Sequence, residues 1–212
     1  MKGLGNISQN AVNRLPKYLH YVQEQLACGT DRTTSAKIAS TIGATSSQVR
    51  QDLGHFGNFG SQGYGYNLKE LDQTVQRIIG INIPHNIAII GAGSIGRALA
   101  EHMDFQKYNF NLCAAFDISP KLDGTKIGDI TIQHLSDLPE YLEHHHIDIC
   151  ILTVSRESAK EVGQLLYDQG IPAIWNFTNV PLDLDEQEIV VQNVDFIDSL
   201  LALTYYLEAS NN

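Results

Sequence analysis

Ile87-Ala88-Ile89-Ile90-Gly91-Ala92-Gly93-Ser94-Ile95-Gly96-Arg97-Ala98-Leu99-Ala100 runs from an apolar stretch through a glycine pattern into helix-forming residues. Residues 87–90 read as a fully buried strand. In Gly91-x-Gly93-x-x-Gly96 the first glycine makes a tight turn and the second lets the backbone approach a pyrophosphate. The third lets the following helix pack closely on the strand, and that helix offers its N-terminal NH groups and positive dipole to phosphates. Ala92, Ser94 and Ile95 complete the candidate phosphate loop. A merely tight strand-to-helix turn is the bland alternative. The flanking strand and helix, and an acid further on, favour a dinucleotide.

That acid closes a second apolar run, Leu112-Cys-Ala-Ala-Phe-Asp117, 26 residues beyond Gly91, near the spacing of about 20 at which such an acid meets the ribose. A carboxylate there bonds the adenosine ribose hydroxyls and repels a 2′-phosphate, which favours NAD(H) over NADP(H). Asp117 can instead cap the turn begun by Asp117-Ile-Ser-Pro120. Downstream, strand and helix patterns alternate. Residues 126–133 hold a short strand, 136–144 a helix and 147–153 a third parallel strand. Ser155 caps a helix through Gln169, with Gly170 as its stop, and 173–176 and 189–192 add strands. This alternation predicts an α/β, Rossmann-type doubly wound parallel sheet over residues 84–194, with ligand at the strand carboxyl ends. Thr153, Val154, Asn176 and Phe177 fall at such ends and are candidate cofactor neighbours.

The chain has 212 residues and a net charge of −10, which taken alone disfavours nucleic acid. The distribution differs. Residues 1–80 carry eight Lys or Arg against five acids, while the remaining 132 carry six against nineteen, or +3 against −13. Such asymmetry points mildly to an anionic partner of the N-terminal part. No run reaches the roughly 18 apolar residues of a membrane span, and no secretory leader is evident, so a cytoplasmic location is expected. Three well-separated cysteines, Cys28, Cys113 and Cys150, read as reduced thiols rather than ligands or disulfides. His144-His145-His146 reads as a solvated helix terminus, because adjacent residues do not converge on one ion; no metal is expected.

Within residues 1–83, helical spacing of Leu15, Tyr18, Leu19, Val22 and Leu26 predicts a first helix with Pro16 in its first turn. Thr33 and Thr34 can cap a second, ended by Gly43. Thr45-Ser46-Ser47-Gln48 is a capping-box pattern that starts a third. That helix turns Val49, Leu53 and Phe56 inward and Ser46, Ser47, Arg50 and Gln51 outward. Glycines alternating with aromatics over residues 57–66 predict a short hairpin, or wing, which includes Phe59, Gln62, Gly63 and Tyr66. Residues 67–81 form a further helix. Three helices and a wing make a winged helix-turn-helix, whose third helix would enter the major groove of double-stranded DNA. Arg50 can read guanine and Gln48 or Gln51 adenine, beside Thr45, Ser46 and Ser47. A helical module for protein contacts is the other reading. The C-terminal segment 195–212 predicts a helix apolar nearly all round, through Phe196, Ile197, Leu200, Leu201, Leu203, Tyr206 and Leu207; it must be buried in its own chain or in a second copy.

The chain resembles the Rex family of redox-sensing transcriptional repressors from residue 14 to about 207. The resemblance rests on Ser47-Gln-Val-Arg50-x-Asp52-Leu53, Phe56-Gly-x-Phe-Gly-x-x-Gly-x-Gly-Tyr66, Gly91-x-Gly-x-x-Gly96, Ala115-Phe-Asp117, Ile151-Leu-Thr-Val154, Asn176-Phe177 and Val191-x-Asn-Val-Asp195. It implies a cytoplasmic homodimer with a swapped C-terminal helix, bound to a palindromic operator that is released when NADH replaces NAD⁺. Asp195 and Phe196, which it places near the partner's nicotinamide region, are retained. Family members carry Lys at Gln51, Tyr at His55 and Arg at Gln62, and losing two cations weakens phosphate contacts. At the family's sensing Arg and switching Tyr this chain has His20 and His102. A His20–Asp195 pairing that needs protonation would make switching pH-sensitive near the ordinary histidine value of about 6.5. Two rivals stand beside this reading: an NAD-dependent dehydrogenase with a regulatory head, and a Rex-like DNA-binding or scaffold protein indifferent to NADH. Residues 87–192 are consumed by the nucleotide fold, leaving no substrate domain.

Overall fold

The computed structural model describes residues 8–56, 60–61 and 65–210. The chain divides into two compact units, Met1–Ile83 and Pro84–Asn212.

The first unit begins with α1 (Gln9–Val12), α2 (Leu15–Ala27), β1 (Arg32–Thr33), α3 (Ser35–Ile42) and α4 (Ser46–Phe56). It continues with β2 (Gly60–Ser61), β3 (Gly65–Asn67) and α5 (Leu68–Ile79). Pro16 sits in the first turn of α2, where a missing N–H costs nothing. Thr34 caps α3 by accepting from Lys37 N, and Gly43 ends it in the left-handed region. The Thr45 box is reciprocal: Thr45 N donates to Gln48 Oε1 at 2.8 Å and Gln48 N to Thr45 Oγ1 at 3.2 Å. Tyr18, Leu19, Val22, Ile38, Val49, Leu53, Leu68, Leu71 and Val75 close a core between the helices.

Two expectations change here. Thr33 is a buried strand residue that shares a hydrogen bond with the Tyr21 hydroxyl, so only Thr34 caps. The wing also has a third strand, in the antiparallel order β1-β3-β2. At two residues β1 is too short to show a period.

The second unit comprises β4 (His85–Ile90), α6 (Ser94–His102), β5 (Phe110–Asp117), β6 (Lys126–Ile127), β7 (Ile130–His134) and α7 (Leu138–His144). It ends with β8 (Ile149–Leu152), α8 (Ala159–Asp168), β9 (Ala173–Asn176), β10 (Val190–Asn193) and α9 (Phe196–Ser210). The sheet order is β10-β9-β8-β4-β5-β7-β6, parallel except for β6. Residues 126–133 were expected to hold one strand and hold a hairpin instead, because Gly128 takes a left-handed conformation that reverses the chain. The helix expected to start at Ser155 starts at Ala159. Residues 155–158 form a turn in which Ser158 N donates to Ser155 O at 3.2 Å, so Ser158 precedes the helix.

Alternate residues of β4 feed two cores. Ala88 and Ile90 join Ala114, Phe116, Cys150, Leu152, Val162 and Leu166 under α8 and α7. Ile87 and Ile89 join Ala115, Ile132, Ile151 and Phe105 on the other face, where Leu99 and Ala100 of α6 pack. On that second face Ile149, Ile151, Trp175 and Val190 line an open apolar groove of about 650 Å³. Helix α9 leaves Phe196, Ile197, Leu200, Leu201, Leu203, Tyr206 and Leu207 more than half exposed.

Candidate nucleotide and nucleic-acid sites

Strand order reverses at β4, which has β5 on one side and β8 on the other. Ligands of open α/β sheets bind outside the strand carboxyl ends at such a point. The loop leaving β4 and the segment Thr153–Val154 leaving β8 meet there. Gly91 has φ +101°, and a Cβ on it would lie 2.7–2.8 Å from the backbone of Thr153 and Val154. Thr153 Oγ1 donates to Gly91 O at 2.6 Å, and Gly91 N donates to Phe116 O at 2.8 Å. A Cβ on Gly96 would collide with the Gly91 carbonyl oxygen. Two of the three glycines are therefore demanded by the fold itself.

Gly93 is different. Its backbone (φ −72°, ψ −165°) suits any residue, and a Cβ there would touch nothing within 4 Å. No contact within the chain excludes a side chain here, and the backbone stands open to a ligand. Gly93 is also the N-cap of α6, which no side chain caps. Its first-turn NH groups are thus offered to an anion. Ser94 and Ile95 are exposed beside them, while Ala92 is buried.

Asp117 fulfils both readings of its place at the end of β5. Its Oδ1 accepts from Ser119 N at 2.8 Å, capping the turn, and its Oδ2 accepts from Ala92 N at 2.7 Å, tying the turn to the glycine loop. An ionised carboxylate has about four acceptor sites, so roughly two remain for a ribose diol. Beside it opens a cavity of about 520 Å³ lined by Ile118, Leu135, Ser158, Val162 and Leu165. The residues of the crevice accordingly fit an adenosine diphosphate moiety: open backbone for phosphate, a carboxylate for ribose, and an adjacent partly apolar cavity.

Asn176 and Phe177 lie next along the sheet edge, where Phe177 N donates to Leu152 O at 2.9 Å. The Asn176 side chain is buried and spent on the protein. It donates to Val180 O at 2.9 Å and Asn193 Oδ1 at 2.8 Å, and accepts from Thr178 Oγ1 at 2.7 Å. It shapes this end of β9 and β10. Phe177 packs edge-on against Trp175, with ring centroids 4.6 Å apart, and its ring lies 6.0 Å from that of Phe196. Asp195 Oδ1 accepts from Ile197 N at 2.8 Å and Asp198 N at 3.0 Å, capping α9. His102 is the exposed last residue of α6, eight residues from the phosphate loop's end of that helix. No group of three or more His, Cys, Asp or Glu placed to hold a metal ion occurs among the described residues. His145 stacks on Tyr141 and His146 pairs with Asp148 at 3.0 Å.

In the first unit, α4 exposes Ser47, Gln48, Arg50 and Gln51, with Thr45 exposed just ahead of it and Ser46 half-buried. Gln48 is partly spent, since its Oε1 holds the cap. Arg50 donates to Ser35 Oγ at 3.3 Å and stays exposed. Tyr66 is half-buried on β3. Phe59, Gln62 and Gly63, expected in the wing's contacts, lie outside the described residues. His20 is exposed on α2.

Sequence reasoning missed the anchor beneath α4. Asp52, buried, accepts from Arg14 Nε at 2.7 Å, Arg14 Nη2 at 2.8 Å and the Tyr18 hydroxyl at 2.7 Å. Burial alone would raise its pKa, but the Arg14 and Tyr18 hydrogen bonds and the Arg14 charge outweigh it and hold Asp52 below the usual carboxylate range.

Fold and sites define a class: a winged-helix unit joined to a Rossmann unit of the dinucleotide-binding type. The family model for the N-terminus of a putative DNA-binding protein matches residues 6–54, and that for a CoA binding domain matches residues 82–180. The redox-sensing transcriptional repressor Rex of Clostridium botulinum strain Hall is 48% identical over 199 residues, 94% of each chain. That of Clostridium novyi strain NT is 44% identical over 207 residues, covering 97% of this chain and 98% of the relative. Among solved structures, RSP in complex with β-NADH superposes with a TM-score of 0.89 at 35% identity, over 97% and 96% of the two chains. RSP in complex with β-NAD⁺ and operator DNA gives 0.91 at 38% identity, over 97% and 94%. The chain belongs to the Rex family of redox-sensing transcriptional repressors.

Proposed function

We propose that this chain is a DNA-binding transcriptional repressor that binds NAD(H) and releases a palindromic operator when NADH binds. The observation that carries the reading is the open backbone at Gly93 beside the uncapped first turn of α6, in a chain similar over nearly its full length to repressors solved with β-NADH and with β-NAD⁺ and operator DNA. The NH groups of the first turn of α6 hold the pyrophosphate, Asp117 takes the adenosine ribose hydroxyls, and the cavity beside Ile118 receives the adenine. Thr153 and Val154 line the crevice wall, with Phe177 and Phe196 beyond. When bound, the dinucleotide supplies a nicotinamide ring that differs by one charge between its oxidised and reduced forms. Residues of this chain near that ring read the charge without making or breaking a bond, so the reading is non-enzymatic.

Of the three thiols, Cys28 is exposed, and the two in the Rossmann unit are poor alternative sources of redox response. Burial pushes the Cys113 and Cys150 thiols up, which keeps them protonated and unreactive. A CoA ligand, suggested by the matched family model, meets an obstacle in Asp117: a ribose 3′-phosphate would sit against a carboxylate. Thr45, Ser47, Gln48, Arg50, Gln51 and the wing form the DNA face. The exposed apolar side of α9 and the open groove over β8–β10 support a homodimer in which residues 195–212 of each copy are covered by the other. No helix among the described residues is long and apolar enough to cross a membrane; a DNA-binding role places the protein in the cytoplasm.

Calorimetric titration with NADH, NADPH and CoA tests the nucleotide assignment. NADH is expected to bind with the highest affinity, and Asp117→Ala to narrow the preference over NADPH. Tighter binding of CoA than of NADH would overturn it.

A further inference from the structure

We propose that His134 is a positioning residue for nucleotide selection, holding the Asp117 turn so that its carboxylate meets ribose hydroxyls and rejects a 2′-phosphate. The inference rests on the nucleotide reading above. Asp117 and His134 are register partners at the carboxyl ends of the parallel strands β5 and β7. The imidazole reaches across: Nε2 lies 3.1 Å from Ile118 O and Nδ1 lies 2.8 Å from Ser136 Oγ. A carbonyl only accepts, so Nε2 carries the proton, an assignment made from the hydrogen-bond partners. Nδ1, left without a proton, accepts from Ser136 N at 3.3 Å and from the Ser136 hydroxyl, which fixes the ring's orientation.

The turn that presents Asp117 is therefore fixed at three points. Ala92 N holds Oδ2, Ser119 N holds Oδ1, and His134 holds the carbonyl of the residue between. The first two act on the carboxylate itself, and a ribose or phosphate arriving there competes with them. The third acts on the Ile118 backbone rather than on the carboxylate, so a group bound by the carboxylate does not compete with it directly. Ile118 and Leu135, the residues following Asp117 and His134, both line the 520 Å³ cavity, so the imidazole bridge ties together two parts of its wall. Without the bridge the 117–119 turn can rotate. The carboxylate then loses its aim at the diol and its opposition to a phosphate in the same place.

The test is titration of the full-length protein and its His134→Ala and His134→Gln variants with NADH and with NADPH, alongside thermal unfolding. The alanine variant is expected to lose about tenfold in NADH affinity, the scale of one well-placed hydrogen bond, with little change for NADPH, so the preference falls about tenfold. The glutamine amide can donate to Ile118 O as Nε2 does, and should restore most of it. A merely stabilising role would lower both affinities together or the melting temperature alone, and an unchanged NADH-to-NADPH ratio in the alanine variant overturns the proposal. If that variant does not fold, His134→Asn, too short to reach Ile118, is read the same way. Failure of the unsubstituted protein to bind NADH is a separate result, and removes the nucleotide reading itself along with its refinement.

Discussion

Arg14 and Asp52, 38 residues apart, form a bidentate ion pair at 2.7 and 2.8 Å that pins the middle of α4 to the start of α2. Asp52 is the one acid on α4, and its side chain is only 5% exposed. Unpaired, it would put a buried charge inside the helix proposed to meet DNA. Paired, it sets where Arg50 and Gln51 stand.

Breaking such a pair strands the other charge, so Asp52→Asn is expected to cost about 3 kcal/mol at pH 7. The sign with pH follows from the depressed native pKa. The pair's contribution is complete above the ordinary value of 3.8 and is lost as pH falls through the lower native value. Urea unfolding of both proteins should show a gap at pH 7 that narrows towards pH 3. A gap of the same size at both would show that charge pairing is not what Asp52 contributes.

Gly93 and Gly96 should separate binding from folding. Gly96→Ala forces a Cβ into the Gly91 carbonyl and is expected to destabilise by about 2 kcal/mol or more, in the range of overpacked cores. Gly93→Ala meets no atom of the chain, so it should lose only the N-cap preference for glycine over alanine, about 1 kcal/mol or less. Its NADH affinity should drop at least about tenfold, the cost of losing one charge-assisted hydrogen bond to phosphate. Equal melting temperatures for the two variants, or full NADH affinity in Gly93→Ala, would contradict the division of roles.

On the DNA face, Arg50→Ala is expected to weaken operator binding by about 1–3 kcal/mol and relax the preference at one base pair. Gln51→Lys adds a cation where family members carry one; it should strengthen binding to all sequences and steepen the salt dependence by about one unit of slope. Titrations from low to moderate salt read both. An Arg50→Ala protein that loses specific and non-specific binding equally would move Arg50 from base reading to phosphate contact.

Local chemistry made much of this legible in the sequence. The phosphate loop, the Thr45–Gln48 box, the Gly43 stop and Asp117 each declare themselves within a few residues. What lay hidden depends on distance along the chain or on length. The Arg14–Asp52 pair and the His134 bridge to Ile118 exist only once strands and helices are assembled. The strand β1 is too short for a pattern, and the turn at residues 155–158 that delays α8 leaves no periodic trace. The fingerprint assigns its three glycines different uses, and the packing agrees with that division. What the structure adds is the atoms a side chain would meet: backbone at Gly91 and Gly96, and nothing within 4 Å at Gly93.

Redox-dependent release of DNA is the most direct test. The protein should be titrated onto a palindromic operator in fixed salt, with saturating NAD⁺ in one series and NADH in the other, at pH 6 and pH 8. NADH is expected to weaken binding by tenfold or more relative to NAD⁺, a coupling on the scale of about 1–3 kcal/mol usual between linked sites. Equal operator affinity with both nucleotides at both pH values would contradict a redox sensor and leave an NAD(H)-binding protein whose hold on DNA is constitutive.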